Sequence, residues 1–360
     1  MAEAATTADY MVGATIREGF FGRVVHGRHK VTDRAVAVKV VHKVSIKKRP
    51  DQLVHILTER RVLEELKQCH AVVNLWACFH DNECLYFVME CAMGGDLTSV
   101  ISAGVQEADW IDSAKHYAMQ ILAALEAVHV HKILHADLKP DNILVTLQGR
   151  VQLADFGSAV ELLKKNDTYN SNNRKDRPVV RGTSDYASPE ILRAKHASEL
   201  TVAVDLWSFG CVLFALLQGG GESPFHASSD ALAVDKILDF CKEEDATSTT
   251  KAAAATTNDR ESILFGKDNV GKEPCIPKDW RELILTLLQP EPLERLGAHD
   301  MDPVDGSSPY GSIRASTVWK DVDLEKSPKF LPKEPTWLVE SNSMDMKDGS
   351  EGWTAFLDIA

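Results

Sequence analysis

Asp137, Lys139, Asn142 and Asp155 lie close together in the sequence. The first three fall in Ile133-Leu-His-Ala-Asp-Leu-Lys-Pro-Asp-Asn-Ile-Leu-Val145, and the fourth opens Asp155-Phe-Gly157. Apolar residues flank them (Ile133, Leu134, Ile143, Leu144, Val145, Val151, Leu153), as short buried strands or turns would. Burying unpaired charge is costly, so a core that gathers two carboxylates, an ammonium and an amide must give them a shared task. A divalent cation on a polyphosphate would satisfy all four. Asp155 and Asn142 offer hard oxygen ligands suited to Mg2+. Lys139 can neutralise phosphate charge, and Asp137 can accept a proton from an attacking hydroxyl. The other reading of the first segment is a salt-bridged loop beneath a helix; the Asp-Phe-Gly that follows argues against it.

His135-Ala-Asp-Leu-Lys-Pro-Asp-Asn142 followed by Asp155-Phe-Gly157 resembles the catalytic loop and metal-binding turn of eukaryotic protein kinases. The resemblance covers residues 10–335 and implies an α+β, bilobed protein-kinase fold. Its small β-rich N-lobe with one main helix would span residues 10–90, and its larger, mostly helical C-lobe 93–335. It also implies ATP and Mg2+ as ligands, with Asn142 and Asp155 on the metal, and protein substrates.

The elements that must position these groups can be read upstream. Ile16 to Val25 has the pattern strand, glycine turn, strand, and Val36 to Val41 is a β-rich run with one lysine. A glycine turn lets backbone N–H groups approach phosphate oxygens closely. Gly19-x-x-Gly22 alone signals a hairpin. Followed by Val24 and Ala37-x-Lys39, it resembles the nucleotide-covering loop and phosphate-binding lysine of the family, with Ile16 on the same wall. The family pattern has three glycines, and the first is Arg17 here, which bears on loop flexibility and nucleotide affinity. Gln52 to Gln68 has helical periodicity and contains Glu59. Glu59 reads as a solvated helix glutamate or, by the resemblance, as the partner of Lys39. Leu63, Leu75, His135 and Phe156 would form the apolar column joining the lobes. Leu85 to Ala92 is a strand running into Met93-Gly-Gly-Asp96. The resemblance makes it the interlobe hinge, with backbone groups of Glu90 and Ala92 on adenine. Met89 would sit behind the pocket, and Asp96 would face the ribose or a basic substrate residue. Val24, Ala37 and Leu144 would sandwich the purine, and plain core packing accounts for them equally well.

Asp112 to Lys132 is an amphipathic helix. The resemblance makes 155–190 an activation segment with a mobile polar middle, 164–177, and makes Thr183 a marker of Ser/Thr specificity. Glu190 would pair with Arg295. Asp205, the one carboxylate in a strongly apolar helix, would accept backbone N–H groups of the catalytic loop. Residues 242–272 read as a surface insertion without core periodicity. Residues 1–9 read as a disordered leader and 336–360 as a tail, where Trp353-Thr-Ala-Phe356 resembles a motif that docks on the small lobe.

Thr58-Glu-Arg-Arg-Val, Ser188-Pro-Glu, Arg295-Leu-Gly and Phe330-Leu-Pro are similar to the AGC group of Ser/Thr kinases, and within it to the phosphoinositide-dependent protein kinases. These imply other kinases as substrates. Too few residues follow 335 to form a pleckstrin-homology domain within this chain. Ala136 stands where the family has an arginine that binds a phosphorylated activation segment, and Val179 aligns with the phosphoacceptor. Both halves of that switch are missing, so activity is expected not to depend on phosphorylation there. Two alternatives remain open: another AGC-type kinase with different substrates, and a pseudokinase scaffold.

The totals exclude other classes. The 360 residues are 44% hydrophobic and carry a net charge of −13, against a general nucleic-acid binder. Seven cysteines without paired spacing fit a reducing compartment, and a cytoplasmic protein is expected, with nuclear or transient membrane location left open. No secretory signal or membrane-spanning run is visible.

Overall fold

Alternation in one strand already separates chemistry from core. In the run Ala-Val-Ala-Val-Lys-Val-Val-His (Ala35–His42), Val36, Val38 and Val40 point to one face and are almost wholly buried. Ala37, Lys39 and Val41 point to the other, because successive strand side chains alternate. Each buried valine contributes about 1.5–3 kcal/mol of transfer free energy, which fixes the register and hence the direction of Lys39.

The structure is a computed structural model that describes residues 5–19, 22–49, 52–162, 184–196, 199–242, 257–266, 276–300, 310–320 and 322–333, with the backbone of 344–345 and 351–352. Strands β1 (Tyr10–Gly19), β2 (Gly22–His29), β3 (Ala35–His42), β4 (Leu75–His80) and β5 (Cys84–Glu90) form an antiparallel sheet in the order β1-β2-β3-β5-β4. Residues 344–345 pair with Met11 and Val12 on one edge, and 351–352 with Phe79 and His80 on the other. The tail backbone therefore reaches the small lobe; Trp353 and Phe356 lie outside the described residues. Helices α1 (Lys43–Lys48) and α2 (Gln52–Glu65) follow β3. On α2, Ile56, Glu59, Val62 and Leu63 share the buried stripe, so the glutamate is carried into the interior by helical spacing.

Helices α3 (Leu97–Gly104) and α4 (Trp110–Val130) begin the large lobe, and the helix Ala203–Gln218 packs on α4 and on Lys278–Leu287. Every residue from Ala203 to Leu217 is buried, as expected of a helix apolar on all sides. The short hairpins β6 (Ile133–Leu134) with β9 (Val160–Glu161), and β7 (Ile143–Val145) with β8 (Val151–Leu153), hold the loop between the lobes. One core runs through both lobes and includes Leu63, Leu75 and Phe156, with the His135 ring 4.8 Å from that of Phe156. The expected column is thus assembled. Arg295 is buried and donates to both carboxylate oxygens of Glu190, to Ala203 O at 2.8 Å and to Gln289 O at 2.7 Å.

Two expectations need correction. Within the supposed surface insertion, Thr257–Phe265 is a helix, and Phe265 is buried with its ring 5.8 Å from Phe214. One aromatic anchor was too little periodicity to see. In the supposed leader, Thr7–Asp9 forms a turn closed by Thr6 and Asp9, and Thr7 is fully buried. The buried Thr7 carbonyl accepts from the Tyr10 N–H, so that backbone group is satisfied away from water. Near the other end, residues 328–333 strap the large lobe: Phe330 accepts from Tyr117 Oη at 2.9 Å and donates to Ser113 Oγ at 2.8 Å, and Pro332 lies against Gly94.

Candidate active site

The catalytic loop is built on strain held by a buried carboxylate. Ala136 has φ +59°, a left-handed conformation that costs a non-glycine residue about 1–2 kcal/mol. Asp205, fully buried, accepts the backbone N–H groups of His135 and Ala136, both at 2.8 Å, and bonds His129 Nε2 at 2.7 Å. Burial alone would push its carboxyl up. The hydrogen bonds from His129 and Ala136 and the His129 and His135 charge outweigh that and hold it below the ordinary carboxylate value. His129 is in turn bonded to Tyr310 Oη. Downstream, Asn142 Nδ2 donates to Asp137 O at 2.9 Å and Asp137 Oδ2 at 3.0 Å. Lys139 Nζ lies 3.3 Å from the same Oδ2. Three of the four motif residues are therefore in mutual contact.

The fourth meets the small lobe. Lys39 Nζ lies 2.7 Å from Glu59 Oε2 and 3.3 Å from Asp155 Oδ1. Burial would lower the lysine's pKa, but the Asp155 and Glu59 carboxylates outweigh it and raise it, so the ammonium is held charged. Lys39 in turn holds Asp155 below the usual carboxylate range against the effect of burial. Burial pushes the Glu59 carboxyl up, with the Lys39 charge opposing. Asp155 is itself left-handed, at φ +60°. Such strain persists only where the surroundings over-determine it, and it clusters at functional sites.

The four motif residues, with Lys39 and Glu59, face one interlobe cleft. Ile16, Gly19, Gly22, Val24, Ala37, Lys39 and Glu59 line its upper wall. Met89, Glu90, Ala92 and Asp96 line its back, and Asp137, Lys139, Asn142, Leu144 and Asp155 its floor. Gly22 is required by close approach, since a Cβ there would lie 1.9 Å from Val40 O. Two members carry contacts that narrow what they can offer. The Glu90 N–H is already spent on Asn74 O at 2.9 Å, and its carboxylate is held by Asn74 and Gln152, so its carbonyl is what it can offer a base. Asp96 caps α3, accepting from Ser99 N at 2.8 Å and Ser99 Oγ at 2.7 Å.

The donor set suits a divalent cation carried on a nucleotide. Among the described residues, no group of three or more His, Cys, Asp or Glu is placed to hold a metal by itself. Asp155 contributes a carboxylate, and Asn142, its amide nitrogen spent on Asp137, contributes an amide oxygen. A divalent cation such as Mg2+ would be held by such a partial set of protein oxygens, with the substrate's phosphates sharing it.

Some residues at the cleft were not foreseen. Phe330 and Pro332 of the strap line it, as does Asp141 beside Arg17, which the sequence had already placed in the covering loop. Phe330-Leu-Pro was visible only as a family marker. Nothing in the sequence linked Arg17 to Asp141. Thr183, Val179 and the 164–177 stretch lie outside the described residues.

Comparison with known proteins agrees with this geometry. A model of the protein kinase domain matches residues 10–303. The serine/threonine-protein kinase PKH2 of Candida albicans is 33% identical over 235 residues, covering 64% of this chain and 23% of that protein. A probable serine/threonine-protein kinase of Dictyostelium discoideum is 31% identical over 345 residues, covering 90% of this chain and 68% of that one. The 3-phosphoinositide-dependent protein kinase 1 of Arabidopsis thaliana is 28% identical over 352 residues, covering 96% and 62%. The chain thus spans under a quarter of the first relative and about two thirds of the others. No helix among the described residues is long and apolar enough to cross a membrane. The chain belongs to the protein kinase family, as a serine/threonine protein kinase.

Proposed function

We propose that this chain transfers the γ-phosphate of ATP to Ser/Thr hydroxyls in the activation loops of other AGC kinases. The observation that carries the transfer reading is Lys39, held charged between Glu59 and Asp155 on the cleft that also holds Asp137, Lys139 and Asn142. Lys39 would contact the α- and β-phosphates. Asp137 would orient the substrate hydroxyl and take its proton, and Lys139, 3.3 Å from it, would offset γ-phosphate charge during in-line transfer. Asn142 and Asp155 would hold Mg2+, which when bound neutralises charge on the β- and γ-phosphates. The likeness to phosphoinositide-dependent kinases supports the substrate class, and a cytoplasmic location fits that role. The test compares a peptide from an AGC activation loop with a basic-directed peptide. Preference for the former supports the reading; preference for the latter moves the chain to another AGC type.

Ala136 adds a regulatory expectation. It is buried among Ala187, Ile191 and Val204, an apolar setting with no guanidinium to receive a phosphate at that position. Phosphatase-treated protein should therefore keep its activity, within about twofold by the scale of an absent exposed pair. Mass spectrometry would verify dephosphorylation, and a large loss of rate would refute the expectation.

A further inference from the structure

Arg17 stands where the resemblance puts a glycine, and its side chain crosses the mouth of the cleft. Nη2 lies 2.9 Å from Asp141 Oδ1, and Nη1 donates to Asp141 O at 3.2 Å. The two residues are 124 positions apart. Arg17 rides on β1 immediately before the glycine turn; Asp141 immediately precedes Asn142 in the catalytic loop. The contact therefore joins the strand that covers the nucleotide to the loop that would do the chemistry.

The strand is shaped for this contact. The β1–β2 register shifts between Thr15, opposite Val25, and Arg17, opposite Val24. Such an irregularity re-aims a side chain, and here neighbouring Ile16 and Arg17 both line the cleft, where strict alternation would send them to opposite faces. A guanidinium suits the task, because its planar fork reaches a carboxylate and a carbonyl at once.

We propose that Arg17 is a positioning residue: a clasp that holds the cleft end of β1 against the catalytic loop and so tightens ATP binding. This rests on the reading of the cleft as an ATP site. A glycine at 17 would leave the cleft end of β1 without a tether; an arginine there gives it a docked position. The side chains are 47% and 40% exposed, so the pair is screened by solvent and works as a bias on the position of β1, not as a lock. Arg17 touches no reacting atom in this scheme and acts through Asp141.

The experiment is a cycle over Arg17→Ala, Asp141→Asn and the double variant, each in the full chain. The dissociation constant of ATP is read by fluorescent-nucleotide displacement, with KM and kcat for transfer measured alongside. Each single variant should weaken ATP about two- to fivefold, the range an exposed ion pair supports. KM for ATP should rise with it while kcat moves less, Arg17→Lys should recover part of the loss, and the double variant should be no worse than either single one. Salt near about 0.5 M should narrow the gap between wild type and Arg17→Ala, because it screens an exposed pair. Single effects that multiply in the double variant, or an Arg17→Ala protein that binds ATP as tightly as wild type, would overturn the clasp. A wild type that binds ATP but transfers nothing would sink the kinase reading instead, and the binding cycle would still decide the clasp.

Discussion

Asp137→Asn should lower phosphate transfer by about 10²- to 10⁴-fold, the range that general-base catalysis contributes. The amide has the shape of the carboxylate but cannot take a proton. It still has an oxygen for the Asn142 amide, which now sits 3.0 Å from Asp137 Oδ2, and the Asn142 bond to Asp137 O at 2.9 Å is untouched. The loop should therefore keep its form, with unchanged melting and ATP affinity. The measurement is steady-state transfer beside a thermal melt of the same preparation. Wild-type turnover in the variant would remove Asp137 from its role. A collapsed melt would mean that the residue holds the fold and not the reaction.

Asp205→Asn should do the reverse, acting on the fold first. The buried carboxylate receives two backbone N–H groups and His129. An amide offers one oxygen where two are used and turns a donor toward a donor. Breaking a buried charge network of this kind costs about 3–5 kcal/mol. The unfolding midpoint should fall by several degrees, and transfer should fall with it as Ala136 loses the contacts that keep it left-handed. The pH dependence follows from the sign of the shift. A carboxyl whose folded pKa is depressed contributes stability above the ordinary carboxylate range and loses it as pH falls through the folded value. The gap between wild type and Asp205→Asn should thus be full at pH 7 and shrink in acid. A gap that is constant with pH would contradict the ionised, network-holding carboxylate.

The sequence disclosed the site better than its surroundings, for a physical reason. Asp137, Lys139, Asn142 and Asp155 are near neighbours along the chain, and Lys39 and Glu59 sit in a strand and a helix whose periods are plain. Local spacing was enough to gather the first four; the pairing of Lys39 with Glu59, 2.7 Å apart in the fold, came from the resemblance to the kinase family. Arg17 with Asp141, and His129 with Tyr310, are joined only by the fold; each looks like an ordinary residue of its own segment. Asp205 was legible because a lone carboxylate in an apolar helix demands partners, but which histidine would supply one was not. The helix Thr257–Phe265 was missed because its anchoring rests on Phe265 and a few polar bonds, such as Arg281 to Glu261 at 2.7 Å. That the Glu90 N–H is taken by Asn74, leaving its carbonyl as the backbone group for a base, is a competition visible only in three dimensions.

The most direct measurement is transfer of labelled γ-phosphate from ATP to a generic Ser/Thr acceptor by the purified chain, with and without a magnesium chelator. Lys39, Glu59, Asp155, Asp137, Lys139 and Asn142 arranged on one cleft predict label on the acceptor that vanishes on chelation. Saturating ATP binding with no label transferred, in the presence of magnesium, would contradict the account and leave a scaffold with the shape of an enzyme.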